Sequence, residues 1–274
     1  MSEALREKAI QFRALHEGPG AFVIPNPWDA GSARLLAGLG FPALATSSAA
    51  CAVGLGRRDG GITRDEALAH AALIAAATDL PVSADLENGF GDAPEVVAET
   101  IRRAAEAGVA GCTIEDTTGR AGAPLYEFSL AVERVAAAVE AARGLDFPFV
   151  LTTRTHNLLF AEPKLEETLR RLQAFEAAGA DVLFAPGLPD LAAVRTVCSA
   201  LSKPFNFMVG IPGQSFSVEE LAAAGVKRIS LATSLWRAAM TALIETASAV
   251  RATGQFGFVD EVASTGEICR IMGI

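Results

Sequence analysis

Cysteine is scarce in this chain of 274 residues, and Cys51, Cys112, Cys198 and Cys269 stand far apart. No Cys-x-x-Cys pair and no Cys/His cluster occurs, which argues against a structural zinc site. The thiols read as buried and reduced, as in a cytoplasmic protein. Basic residues are also short: 23 Lys and Arg stand against 32 Asp and Glu, a formal charge of −9. That balance argues against nucleic acid and anionic membrane surfaces as partners. Small anionic ligands stay open, because one local Arg overrides a global sign. No apolar run is long enough to span a bilayer, and the charged, amphipathic start (Ser2-Glu3-Ala4-Leu5-Arg6-Glu7-Lys8) lacks the apolar stretch of a signal peptide. A cytoplasmic protein with no membrane partner is expected. Charged residues are 20% and hydrophobic ones 51%, which excludes disorder and allows a large core. No Pro/Ser/Gly-rich linker divides the chain, so one domain over 1–274 is expected.

After an N-terminal helix over 3–17, strand-like and helix-like patterns alternate eight times. Strands are expected at 21–25, 43–48, 82–87, 111–116, 149–155, 182–186, 205–209 and 228–232. The helices between them fall at about 29–39, 64–78, 94–107, 130–143, 165–178, 191–201 and 218–224, and a long one follows at 235–253. Eight such units predict an α/β fold, a (β/α)8 TIM barrel, with a doubly wound open sheet as the other architecture. Chemistry in a barrel belongs at the C-terminal ends of the strands.

The third strand end, Ser83-Ala84-Asp85-Leu86-Glu87-Asn88-Gly89-Phe90-Gly91, organises the rest. Alternation puts Ser83, Asp85 and Glu87 on one face. Two adjacent carboxylates repel unless a cation or a proton lies between them. Hard divalent ions are bound this way, with water and substrate oxygens completing the shell. The other reading is a pair of solvated loop acids before a glycine turn. Thr46-Ser47-Ser48 ends the second strand and leads into a Gly-rich loop with Asp59. The fourth strand offers Thr113 and Glu115, with Asp116 on its other face. The fifth puts Thr152, Arg154 and His156 together. Arg154 would be a fork for a carboxylate. Asn206 lies inside an apolar run and needs a partner. Trp28, just past the first strand, is placed to wall the site. One barrel end would thus collect Asp59, Asp85, Glu87 and Glu115 with Arg154. Either these form ion pairs without a metal, or they hold one cation and an oxyacid. The second is favoured, because a buried ion cluster with no function is destabilising. His156 reads as a satisfied core histidine or a hydrogen bonder behind the site.

In these residues the chain resembles the isocitrate lyase/phosphoenolpyruvate mutase superfamily, from about Pro25 to Arg237. Its most specific part is the order Ser47-Ser48, Asp59, Ser83-Ala84-Asp85-x-Glu87-x-Gly89-x-Gly91, Ile114-Glu115-Asp116, Arg154. The resemblance implies a β/α barrel that binds Mg²⁺, or Mn²⁺ in its place, and a 2-oxo acid or its enolate. By position, Asp85 resembles the principal metal ligand. Asp59, Glu87 and Glu115 resemble the acids that hold the metal's waters. Ser47 and Ser48 resemble the binders of the substrate carboxylate, and Arg154 the substrate arginine. The family also exchanges its last barrel helix between subunits. That implies a homo-oligomer, a dimer swapped through 235–253 or a pair of such dimers.

The departures bear on the reaction. Lyase members carry a Lys-Lys/Arg-Cys-Gly-His loop after the Glu-Asp of strand four; here 117–126 contains no cysteine. The thiol that protonates the departing carbanion is therefore missing. The loop is also short for a phosphonopyruvate-type gate, and Pro186 stands where the mutase type shows a His. The implied activity is Mg²⁺-dependent cleavage, by a lyase or decarboxylase, of a small 2-oxo or 2-hydroxy di- or tricarboxylic acid. Arg154, Glu115 and His156 are its catalytic candidates, with Asn206 and Trp28 beside the substrate. The enolate's proton would come from a metal-bound water or from His156. Two other readings stand: a phosphonopyruvate-type mutase or hydrolase with a rebuilt loop, and an inactive binding protein for an acid such as 2-oxoglutarate.

Overall fold

Short segments rich in Val, Ile, Leu and Phe become parallel strands, because helices cover them on the outside. The computed structural model describes residues 2–160 and 164–274; residue 1 and residues 161–163 of the expected single domain lie outside the described residues. The eight parallel strands are β1 (Phe22–Ile24), β2 (Leu44–Ala45), β3 (Val82–Asp85), β4 (Gly111–Glu115), β7 (Val150–Arg154), β8 (Val182–Phe184), β9 (Phe205–Met208) and β10 (Arg228–Ser230). An antiparallel hairpin, β5 (Thr117–Arg120) and β6 (Ala123–Leu125), stands between β4 and β7. The helices are α1 (Glu3–Glu17), α2 (Ala30–Gly38), α3 (Ser48–Gly54), α4 (Arg64–Ala76), α5 (Pro94–Glu106), α6 (Phe128–Arg143), α7 (Leu165–Ala177), α8 (Leu191–Ser199), α9 (Val218–Ala223), α10 (Ser234–Thr253) and α11 (Thr265–Met272).

The sheet runs β1-β10-β9-β8-β7-β4-β3-β2. Its two edges meet through polar bonds rather than a ladder. The Ala45 N–H donates to the Pro25 carbonyl at 3.0 Å, and Asn26 Nδ2 donates to the Thr46 carbonyl at 3.0 Å. The expected (β/α)8 barrel is formed, nearly closed, and the open sheet is not.

Helix α1 covers the N-terminal ends of the strands. Its Phe12 is fully buried, and a Cβ on Gly111, the first residue of β4, would lie 3.1 Å from the Phe12 ring. His16 packs edge-on between Phe12 and Phe22, with ring centroids 4.8 and 5.0 Å away. Lys227 Nζ donates to the carbonyls of Gly18 and Gly20 and ties the exit of α1 to β10.

Three local expectations are corrected. The second strand ends at Ala45 and not at Ser48, because Ser47 caps a further helix: its hydroxyl accepts the Ala50 N–H at 3.2 Å. The third strand ends at Asp85 and not at Glu87, because Glu87 and Phe90 adopt left-handed φ of 48° and 62° around the turn at Gly89. The segment 117–126, expected as a loop, contains the hairpin of β5 and β6.

The long helix expected at 235–253 is α10, and no residue of it is buried. Leu243 and Ile244 on it are exposed, whereas α11 packs back on α2, where a Cβ on Gly38 would strike the Ile271 carbonyl. Among the described residues no helix is long and apolar enough to cross a membrane. All four cysteines are free.

Candidate active site

A cavity of about 1010 Å³ opens at the C-terminal ends of the strands. It gathers Ser47, Ser48, Asp59, Asp85, Glu87, Glu115, Arg154, His156 and Asn206 from segments far apart in sequence. Trp28 is not among its lining residues; Asn26 reaches the cavity from that segment instead. The capping box of α2 accounts for the difference. The Trp28 N–H donates to Ser32 Oγ at 3.0 Å, and the Trp28 carbonyl accepts from His70 Nε2 at 2.9 Å, which fixes the chain past the wall.

Asp85 is set by the second strand's end. Its Oδ2 accepts from the Ser48 N–H at 3.0 Å and from Ser48 Oγ at 2.8 Å, and its own N–H donates to Thr46 Oγ1 at 2.9 Å. Ser48 is therefore already engaged with Asp85. The other oxygen, Asp85 Oδ1, is buried without a hydrogen-bond partner among the described residues, and so is Glu87 Oε1. Burial first, then the charges of Asp85, Glu115 and Asp59, push the Glu87 carboxyl up to about 8. Burial and Asp85 push Asp59 up as well.

Glu115 behaves oppositely. Burial alone would raise it, but Arg154, His156 and the Thr117 hydroxyl outweigh that and hold it well below the usual carboxylate range. Arg154 Nη1 lies 3.3 Å and His156 Nε2 3.1 Å from Glu115 Oε2, while Thr117 Oγ1 donates to Oε1 at 2.6 Å. Asp116 faces outward, as alternation predicted. It accepts from Thr155 Oγ1 at 2.7 Å, from the His156 N–H at 3.0 Å and from Arg171 at 3.1 Å, which anchors His156 from behind.

The hairpin lines the cavity with Thr117, Thr118, Gly119, Arg120 and Ala121. Arg120 and Tyr126 both bind Asp92, each at 2.7 Å. Arg134 donates to the carbonyls of Asn88, Gly91 and Asp92 and lies 4.0 Å from the Tyr126 ring centroid. This residue, unmarked in sequence, holds the turn that carries Glu87. Asn206 finds its partner in Ser230, with Nδ2 donating to Oγ at 3.0 Å. Arg228 is a second residue that the sequence reading missed. Its alternation with Ser230 in β10 was the available signal.

The donor set suits a hard divalent cation. Its donors are carboxylate oxygens, two are buried without partners among the described residues, and a positive charge relieves the repulsion that ionising them all would bring. No three of the acids converge closely enough among the described residues to ligate one ion directly. A pH effect follows for the metal-free protein. The folded-state pKa of Glu87 lies above its ordinary 4.5, so this group's contribution to stability is present below that value and lost as pH rises towards about 8. With chelator present, the thermal midpoint is expected to fall from about pH 5 to pH 8, and Glu87→Gln to flatten the fall. A midpoint independent of pH in the parent protein would refute the repulsion.

Residues 12–251 match the profile of the phosphoenolpyruvate phosphomutase family. The chain is 33% identical to an oxaloacetate decarboxylase of Bradyrhizobium diazoefficiens over 73% of its own length and 70% of that protein's. It is 30% identical to the 2-methylisocitrate lyase of Escherichia coli K12, over 97% of this chain and 92% of the other. A solved protein of Burkholderia cenocepacia J2315 superposes with a TM-score of 0.97 at 52% identity, over all of this chain and 98% of that one. The chain belongs to the phosphoenolpyruvate phosphomutase family, within the isocitrate lyase/phosphoenolpyruvate mutase superfamily. The two named relatives are carbon–carbon lyases of small carboxylic acids, and this chain is an enzyme of the lyase class.

Proposed function

We propose that the chain is a Mg²⁺-dependent lyase or decarboxylase of a small 2-oxo or 2-hydroxy di- or tricarboxylic acid, with oxaloacetate the first compound to test. The observation that carries this reading is the pair of buried, unpartnered oxygens, Asp85 Oδ1 and Glu87 Oε1, in one cavity with Arg154. Asp85 would hold the ion, with Asp59, Glu87 and Glu115 as the neighbouring acids that would support it. Mn²⁺ suits the same oxygens. When bound, the ion supplies positive charge where an enolate oxygen develops.

The chain's own groups do the rest. Arg154 binds and orients a carboxylate through its fork; Glu115 fixes it on one side and the Phe184 ring on another, 4.9 Å from the guanidinium carbon. Ser48 keeps Asp85 in place, and Ser47 stands beside the substrate's carboxylate. Asn206 adds an amide to the same wall. Glu115 stays ionised at neutral pH and so gives no proton. His156 Nε2, held 3.1 Å from Glu115, is the atom that holds a proton for the carbanion left by bond cleavage. The hairpin excludes bulk water from that step.

The test is a panel of 2-oxo and 2-hydroxy acids, with pyruvate, glyoxylate, CO2 and phosphate all measured. Oxaloacetate consumption above the rate given by free Mg²⁺, lost with chelator, supports the lyase reading. Phosphate from phosphonopyruvate, or tight binding with no product from any compound, would replace it.

The exposed α10 belongs, in this proposal, on the barrel of a second copy, giving a helix-exchanged dimer or a dimer of dimers. Leu243 and Ile244 supply its apolar contacts. Light scattering is expected to give at least twice the mass of the chain, and Leu243→Glu with Ile244→Glu to give monomers. A monomeric parent protein at micromolar concentration would rule the exchange out.

A further inference from the structure

Arg228 stands at the start of β10 and is only 3% exposed, yet it lines the floor of the cavity. Its one hydrogen bond runs from Nη1 to Thr152 Oγ1, at 3.0 Å. Nε has no partner, and no carboxylate lies within ion-pair distance of the guanidinium, among the described residues. Below it lies the Phe12 ring, 5.7 Å from the guanidinium carbon to the centroid. His16 lies on that side too, but burial and the neighbouring cations Arg228 and Lys227 keep it neutral down to about 3. The floor therefore offers Arg228 no anion from beneath. Buried Cys112, a thiol that burial keeps protonated, lies within its field, and so does the carboxylate of Asp85, which lines the same cavity.

A buried guanidinium without a partner is destabilising unless something nearby balances it. A guanidinium kept only as a crossbar between β10 and β7 would have its buried donors satisfied, and here, among the described residues, Nε–H has no partner and the bond to Thr152 is the one side-chain bond made. We propose that Arg228 is the fixed counter-charge of the cavity, a positioning residue that acts through Asp85 and places positive potential beneath the site. It favours an anionic ligand and moderates the hold on a divalent cation. The inference rests on the metal–oxyacid reading above and assigns a role to a residue which that reading leaves idle.

The probes are Mg²⁺ alone and oxalate at saturating Mg²⁺, both by calorimetry. Arg228→Gln removes the charge and keeps a donor for Thr152. Its Mg²⁺ affinity is expected to rise severalfold and its oxalate affinity to fall about tenfold, the opposite signs that a lost buried charge predicts. Arg228→Lys keeps both affinities near those of the parent. Thr152→Val, which strips the one hydrogen bond and leaves the charge, changes neither. A change of the same sign in both affinities, no change in either, or a Thr152→Val that copies Arg228→Gln would overturn the proposal. A thousandfold loss of oxalate affinity unrelieved by Lys would also overturn it, because that marks a direct contact. If Arg228→Gln does not fold, Arg228→Lys decides: parent-like affinities support the field, and a tenfold loss sinks it. A parent protein that binds neither probe refutes the metal–oxyacid reading itself, before any variant is made.

Discussion

Asp85→Ala is expected to abolish Mg²⁺-dependent oxalate binding and to lower kcat/KM by at least about a thousandfold, while the protein still folds. The reasoning is geometric. Asp85 offers the one buried carboxylate oxygen whose sister atom is held by two donors from Ser48, so its direction is fixed before any ion arrives. Alanine removes that oxygen and also relieves Glu87 of its nearest-acting acid. The metal-free variant should therefore be at least as stable as the parent near pH 8, where the parent's repulsion is fullest. Calorimetry and thermal unfolding check the two halves separately. Unchanged Mg²⁺ and oxalate binding in Asp85→Ala would end the metal reading; a large loss of stability would end the repulsion argument.

Arg154→Met should cost almost as much activity, about a thousandfold in kcat/KM, with most of that loss persisting in Arg154→Lys. A lysine offers a point charge where a planar fork is required, so the conservative change is not conservative here. The substitution has a second signature. The charge of Arg154 is the largest single interaction that holds Glu115 low, so its removal lets burial push the Glu115 carboxyl up. The acid limb of the pH–rate profile should then move to higher pH in Arg154→Met and stay in place in Arg154→Lys. A Met variant with parent-like KM and kcat would remove Arg154 from the site.

The barrel was legible because its signal is repetitive: eight short apolar runs, eight helical patterns and no linker. The acids were legible because carboxylates at strand ends are chemically conspicuous. What escaped was local geometry that competes with alternation. Ser47 reads as the end of a strand, yet a serine before an alanine-rich segment is also a helix cap, and the cap prevailed. Alternation puts Glu87 on the correct wall for the wrong reason. It arrives there through a left-handed turn and not through the pleat, a strained backbone that the fold holds at the site. Arg134 and Arg228 escaped because a single Arg in an amphipathic helix or at a strand's edge looks solvated. Only the tertiary structure shows that both guanidinium groups point inward.

Helix α1 has a kinetic meaning beyond the packing of Phe12. By packing across the N-terminal strand ends it closes that end of the barrel, and the cavity opens at the other end, beside the hairpin residues. Whatever is split there leaves by the route it entered. If the fragment nearer the hairpin departs before the deeper one, release is sequential, and product-inhibition kinetics check that order. The later product is then expected to compete with incoming substrate for the empty cavity, and the earlier one to act on a cavity still half filled.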